Sequence, residues 1–178
     1  NVLDGKVYVK DLNGEDHQLN AMTLQNGSDA RTSGAGLLVI YGGNLRIEGH
    51  IAYANDATPS DEQQLASLGI IVFGKENAPP GGPRIGGDIN IGSQVTSIAG
   101  ALYAEGSIHT GTNGTRKDVP LRVTGAMIAG KFAFERQYAA GAPAEIIEAS
   151  GRLLLNPPPG FADFVKALPV IQQTTPTP

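Results

Sequence analysis

The sequence predicts an all-β fold: a single-stranded, right-handed parallel β-helix of about six turns of 22–26 residues, followed by a short helix and an extended tail. Three observations predict it. The 178 residues include 24 glycines and 12 prolines, only 17% charged residues, and no cysteine or tryptophan. At 40% hydrophobic content the chain can build a core, and its glycines are too aperiodic for collagen. A short template, apolar–any–glycine–any–apolar, recurs along the chain. Within its copies apolar residues alternate with the period of two that marks strands.

The template is found around Gly5, Gly49, Gly74, Gly100, Gly125 and Gly151. The last five glycines are separated by 25, 26, 25 and 26 residues, and the 44 residues from Gly5 to Gly49 leave room for two turns, with Gly27 at the midpoint. A constant period separates a solenoid from an antiparallel sandwich or barrel, which also has many short strands but no fixed repeat. Gly49 is in phase with Leu45, Ile47, Ile51 and Tyr53, so it points inward, where a missing side chain relieves crowding at a corner. Stacked glycines are therefore expected along one edge of the coil.

Polar, breaker-rich loops interrupt the period at 55–62, 77–83 and 110–118. Residues 60–68 are expected to form a short helix capped by Ser60. The prolines of Asn156-Pro157-Pro158-Pro159-Gly160 end the last strand, which divides the chain into a solenoid at 1–156 and a proline-rich segment at 157–178. In that segment Phe161, Phe164, Val165 and Leu168 recur at i, i+3, i+4 and i+7, which predicts an amphipathic helix over 161–168 before Pro169. With the glycines stacked, Ile71, Phe73, Ala99, Ala101, Tyr103, Ala126, Ile128 and Leu154 form an apolar outward patch. The 161–168 helix is the expected cover; a partner or a slip of register are the alternatives.

Composition narrows the function. A net charge of −4 lacks the footprint of a nucleic-acid binder. The apolar runs at 37–41 and 68–73 are too short to insert in a membrane. His17, His50 and His109 have no metal-ligand spacing, Asp11-Leu12-Asn13-Gly14-Glu15 is only half a calcium loop, and no phosphate-binding glycine motif is present, so no metal or cofactor is expected. No catalytic residue is expected either. The alternative is a carbohydrate-active β-helix enzyme, a lyase or hydrolase, using loop carboxylates. It would need residues such as Asp56, Asp61, Asp88, Glu105 and Arg84 to converge on one groove.

The frames Leu45-Arg46-Ile47-Glu48-Gly49-His50-Ile51 and Ile98-Ala99-Gly100-Ala101-Leu102-Tyr103 resemble the glycine-and-aliphatic repeats of bactofilins, bacterial β-helix proteins that polymerise end to end. The stretch Pro120-Leu121-Arg122-Val123-Thr124-Gly125-Ala126-Met127-Ile128 is similar to the solenoids of bacterial surface and pilus-associated proteins. The resemblance covers about residues 45–155, and longer turns and loops set the chain nearer the surface proteins. It implies a non-catalytic structural or interaction module of a cell-surface or filament assembly. Contacts would run through the solenoid ends, the apolar outer face and the tail, with protein partners or self-association, and carbohydrate as a possible ligand. The Thr/Pro-rich stretch 172–178 reads as a linker of the kind that joins extracellular or cell-surface modules.

Overall fold

The computed structural model describes residues 1–29, 31–55, 59–76, 81–114, 119–137 and 143–161. These coil into a parallel β-solenoid of about four turns with a short helix near its C-terminal end. The first coil is β1 (Val7–Asp11), β2 (Asp16–Leu19) and β3 (Met22–Leu24). Above it lie β4 (Ala35–Tyr41), β5 (Asn44–Ile47) and β6 (Ile51–Tyr53). The third coil begins with β7 (Ser67–Phe73), detours through the antiparallel pair β8 (Lys75–Glu76) and β9 (Arg84–Ile85), and resumes in β10 (Ile89–Gly92). β11 (Ser97–Thr112) and β12 (Leu121–Ala133) each run across two faces as one bent strand, and β13 (Glu145–Glu148) pairs with the start of β12. The first face therefore stacks β1, β4, β7 and the middle of β11 and β12, the second stacks β2, β5, β10 and the ends of β11 and β12, and β13 stacks on the start of β12, before the Gly100–Gly125 bend.

In a parallel stack each column carries one residue per coil, so a period-two apolar pattern becomes a continuous wall of aliphatic side chains. The columns Leu38–Ile70–Leu102–Met127 and Leu45–Ile89–Ile108 face the interior, and Ile40, Leu45, Ile47, Ile51, Ile70, Ile89, Ile91 and Ile108 are fully buried. Each such side chain contributes about 1.5–3 kcal/mol of transfer free energy. The corner between the two faces is a shift of register in β11 between Ala104 and Ser107.

The coils are longer and fewer than the glycine spacing implies. Along the first face the repeat is 30 residues from Val7 to Leu37, 32 to Gly69, 32 to Ala101 and 25 to Ala126. Only Gly100 and Gly125 stack. A side chain on Gly125 would overlap the carbonyl of Gly100, and one on Gly100 would come 2.7 Å from the carbonyl oxygen of Leu68. Gly49 lies at another corner, after β5 and against Ala21, and Gly74 follows β7 where the β8–β9 detour leaves the coil. Gly151 is not in a strand at all. It opens the helix α1 (Gly151–Leu155). The template describes a bend in a half-buried strand and carries no information about which face the strand belongs to. Copies from different faces, spaced by unequal loops, thus mimic a constant period.

Two smaller expectations also change. The helix over 60–68 is a single 3-10 turn at Glu62–Gln64, capped by Asp61, whose carboxylate accepts from the Gln63 amide at 3.0 Å, and Ser67 already begins β7. The strand expected to run to 156 ends at Glu148. Phe161 is buried in a turn; the rest of the helix expected over 161–168, including Phe164, Val165 and Leu168, lies outside the described residues.

Candidate functional site

The first face has an outer side as well as an inner one, and the C-terminal segment covers part of it. The column Leu37–Gly69–Ala101–Ala126 carries small residues at three of four coils, which leaves a shallow seat. From α1 the chain runs back along the solenoid as a strap. Leu153 and Phe161 are buried with Leu37 and Ala101, and Val39, Ile71, Tyr103 and Ala126 pack around them. Gly69 is the floor of the seat: a Cβ there would stand 2.8 Å from Phe161 and 2.9 Å from Pro158.

Polar clamps hold the strap to the second and third coils. The Arg152 guanidinium donates to the Asn26 side-chain oxygen at 2.8 Å and lies 4.6 Å from the centre of the Tyr53 ring. That same Asn26 oxygen accepts from the Ala66 amide at 2.9 Å. The Asn156 amide donates to the carbonyls of Gln63 and Leu65 at 2.7 and 2.8 Å. Residues more than ninety positions apart are thus tied together, which is what a strap along the axis requires.

Beside the strap a groove of about 300 Å³ remains, walled by Ile71, Phe73, Tyr103, Ile128 and Phe161. The Phe73 and Tyr103 rings are 5.6 Å apart. Of the residues expected on this patch, Ile71, Phe73, Tyr103 and Ile128 are brought together, with Phe161 of the strap beside them. Ala99 is instead buried in the core, because it precedes the Gly100 bend. Leu154 is not on the patch either, since it lies on α1 and is 60% exposed.

The two ends of the solenoid form a second set of surfaces. At the N-terminal end every residue of β1 is exposed, with Val9 at 66%. Behind it a cavity of about 350 Å³ opens between Tyr8, Lys10, His17, Leu19, Leu38 and Ile70. Lys10 and His17 stand in the inward columns Lys10–Ile40–Val72 and His17–Leu45–Ile89, so polar groups occupy core positions at the mouth. Burial, and then the charge of Lys10, pull the His17 pKa below its ordinary value. At the other end β13 covers β12 only over Leu121–Thr124 among the described residues, and Ile128, Phe132, Phe134 and Ile147 are exposed.

The carboxylates considered for catalysis are occupied with the backbone. Glu105 pairs with Arg84 at 2.7 Å and accepts from the Gly74 amide at 2.9 Å, while Arg84 donates to the Gly74 carbonyl at 2.9 Å. Asp88 accepts from the Ser107 amide at 2.6 Å, Asp61 caps the 3-10 turn, and Asp56 lies outside the described residues. Glu105, Arg84 and Asp88 pin the β8–β9 detour to the corner. The histidines are apart: the His50 ring nitrogen accepts from the Thr96 amide at 3.1 Å, and His109 pairs with Glu135 at 3.4 Å. Among the described residues no three His, Asp or Glu side chains gather as metal ligands.

One group has no signal in the sequence. Arg136 is buried, and its guanidinium donates to the carbonyls of Thr110, Val119, Gly92 and Ser93 at 2.6, 2.8, 3.0 and 3.3 Å. It clips the ends of β10, β11 and the segment before β12. Burial lowers its pKa and the nearby charge of Glu145 opposes that shift. A single arginine between Glu135 and Gln137 forms no motif, so only the folded chain reveals its role. No family model, curated protein or solved structure matches the chain.

Proposed function

We propose that the chain is a non-catalytic structural and interaction module of a bacterial cell-surface or filament assembly, in which copies join end to end. The observation that carries this reading is a column of the first face. Val9, Val39, Ile71, Tyr103 and Ile128 are register partners across the stack, and its two terminal members, Val9 and Ile128, are 66% and 41% exposed. Edge strands with free backbone groups and apolar side chains are templates for further pairing.

Carrying the same parallel register into a second copy sets Val9 of one on Ile128 of the other. On the second face it sets Asp16 on Lys131. These two residues terminate a corner ladder in which Asp16 pairs with Asn44, Asn44 accepts from the Asp88 amide, Asp88 accepts from Ser107, and Ser107 pairs with Lys131. Opposite charges therefore meet where the ladder would be extended. A non-catalytic role is supported by the backbone duties of Glu105, Asp88, Arg84 and Asp61. A surface location is supported by the Thr/Pro-rich composition of 172–178.

Light scattering of the full chain over a concentration series tests the reading. Species growing in whole multiples of the protomer mass are expected, with Val9→Glu shifting the series toward the protomer. Asp16→Lys and Lys131→Glu should each weaken association, and the two together should restore it. A protomer at every concentration, or a series indifferent to Val9→Glu, would overturn it.

A further inference from the structure

We infer that Asn113 is a site of self-modification in the folded chain: it loses ammonia through attack by the Gly114 amide, and the carboxylate left behind opposes Glu48. The step Asn-Gly occurs three times, at Asn13-Gly14, Asn26-Gly27 and Asn113-Gly114. Glycine has no Cβ beside its amide nitrogen, so the nucleophile that follows each asparagine is unhindered. At Asn113 the Gly114 nitrogen bonds to Cγ, the Cγ–Nδ2 bond breaks, and the Gly114 amide proton leaves with Nδ2 as ammonia. Water then opens the cyclic imide, at Cγ to give aspartate or at the backbone carbonyl to give isoaspartate. Water is the only co-reactant, and nothing is oxidised or reduced.

What separates the three steps is the attacking nitrogen. The Gly14 amide donates to the Gly42 carbonyl at 2.5 Å and the Gly27 amide to the Gln64 carbonyl at 2.7 Å, so neither attacks without first giving up its bond. Asn26 is held on its side-chain oxygen as well, by Arg152 and the Ala66 amide. Lys75 polarises the Asn13 carboxamide at 3.0 Å, but the nucleophile there stays engaged. Local conformation does not decide the matter, since Asn13 and Asn113 are both exposed and both left-handed, with φ of 47° and 56°. Among the described residues the Gly114 amide makes no hydrogen bond.

The Asn113 side chain makes one contact, and it is on the leaving nitrogen: Nδ2 donates to Glu48 Oε1 at 2.6 Å. The Glu48 carboxylate also accepts from Gln94 at 2.8 Å and lies 3.7 Å from the Arg46 Nε. It therefore ties together the end of β5, the turn after β10 and the residue that follows β11. Loss of ammonia exchanges a donor for a second negative charge against that carboxylate.

Incubation of the folded full chain at mildly alkaline pH, followed by site-resolved mass spectrometry of its peptides, tests the inference. The mass change of NH2 exchanged for OH should accumulate at Asn113, as paired aspartate and isoaspartate products, while Asn13 and Asn26 keep their amides. In urea at the same pH, where no glycine amide is held, all three should convert at similar rates. Conversion at Asn13 or Asn26 as fast as at Asn113 in the folded chain, or an Asn113 that stays intact there, would overturn it. For the product, Asn113→Asp should lower the thermal midpoint, and adding Glu48→Gln should return most of that loss. An Asn113→Asp chain as stable as the parent, or a loss that Glu48→Gln leaves unchanged, would overturn the opposition to Glu48. The peptide comparison uses no variant, so it decides the site even if Asn113→Asp prevents folding.

Discussion

Arg136 stabilises the upper coils by donating to backbone carbonyls of β10, of β11, of the turn after β10 and of the segment before β12. Its planar fork reaches four backbone oxygens at once, and no other side chain has that many donors in one rigid plane. Thr110 and Glu145 complete the cluster: the threonine hydroxyl donates to the carboxylate at 2.7 Å, and the carboxylate also accepts from the Arg136 amide at 3.2 Å. Arg136→Met keeps much of the volume but removes the guanidinium donors from four carbonyls and the positive charge near Glu145. A loss of about 3–5 kcal/mol is expected, since removing one member of a buried charged network strands the rest. Urea unfolding followed by circular dichroism checks it; a loss below about 1 kcal/mol would show the cluster to be dispensable.

At the scale of elements the strap and the face beneath it are one design. Small residues at Gly69, Ala101 and Ala126 make the seat, and Leu153, Pro158 and Phe161 fill it. Gly69→Val should expel Phe161 and Pro158, because its Cβ already stands within 3 Å of both and of Leu37. Overpacking of this kind costs about 1–3 kcal/mol. The solenoid should survive, because the first-face ladder of β4, β7 and β11 does not depend on the strap. The expected readout is faster tryptic cleavage after Arg152 with an unchanged far-ultraviolet spectrum. Unchanged cleavage would mean that the strap is held by the Asn26, Gln63 and Leu65 contacts alone.

Much of this level was legible in advance. Alternation at Leu45, Ile47 and Ile51, and in the stretches around Gly100 and Gly125, identified strands, and the apolar outer face with Phe73, Tyr103 and Ile128 followed from the same alternation. Gly151 and Leu154 misled because the template is only a few residues long. Ala149-Ser150-Gly151-Arg152-Leu153 satisfies it equally well where a helix starts, and which conformation wins depends on what Leu153 packs against.

For the whole molecule, the ends decide whether a solenoid remains single or grows. The N-terminal mouth places Lys10 and His17 at inward positions where the coils above carry Ile40 and Leu45. Inward charge at an edge is a recognised brake on uncontrolled pairing, since joining must either desolvate it or answer it. Lys10→Val should therefore strengthen end-to-end association, seen as larger species in light scattering at equal concentration. Weaker association would mean that Lys10 makes a favourable contact across the junction.

The class of the fold was legible in the sequence, because period-two alternation interrupted by glycine bends is a local property displayed by short windows such as 45–53, 98–103 and 121–128. The sequence also located the apolar outer face. Only the tertiary structure decided the number of coils, which glycines stack, that a strap rather than a strand ends the described chain, and that Arg136 clips the upper coils. The physical reason is that register between coils is set by loops of unequal length and by contacts between residues about 25 to 130 positions apart, and neither leaves a mark on local spacing. The glycine excess is the clearest case: each glycine marks a bend, but the pairing of Gly100 with Gly125 exists only once the coils have closed on one another.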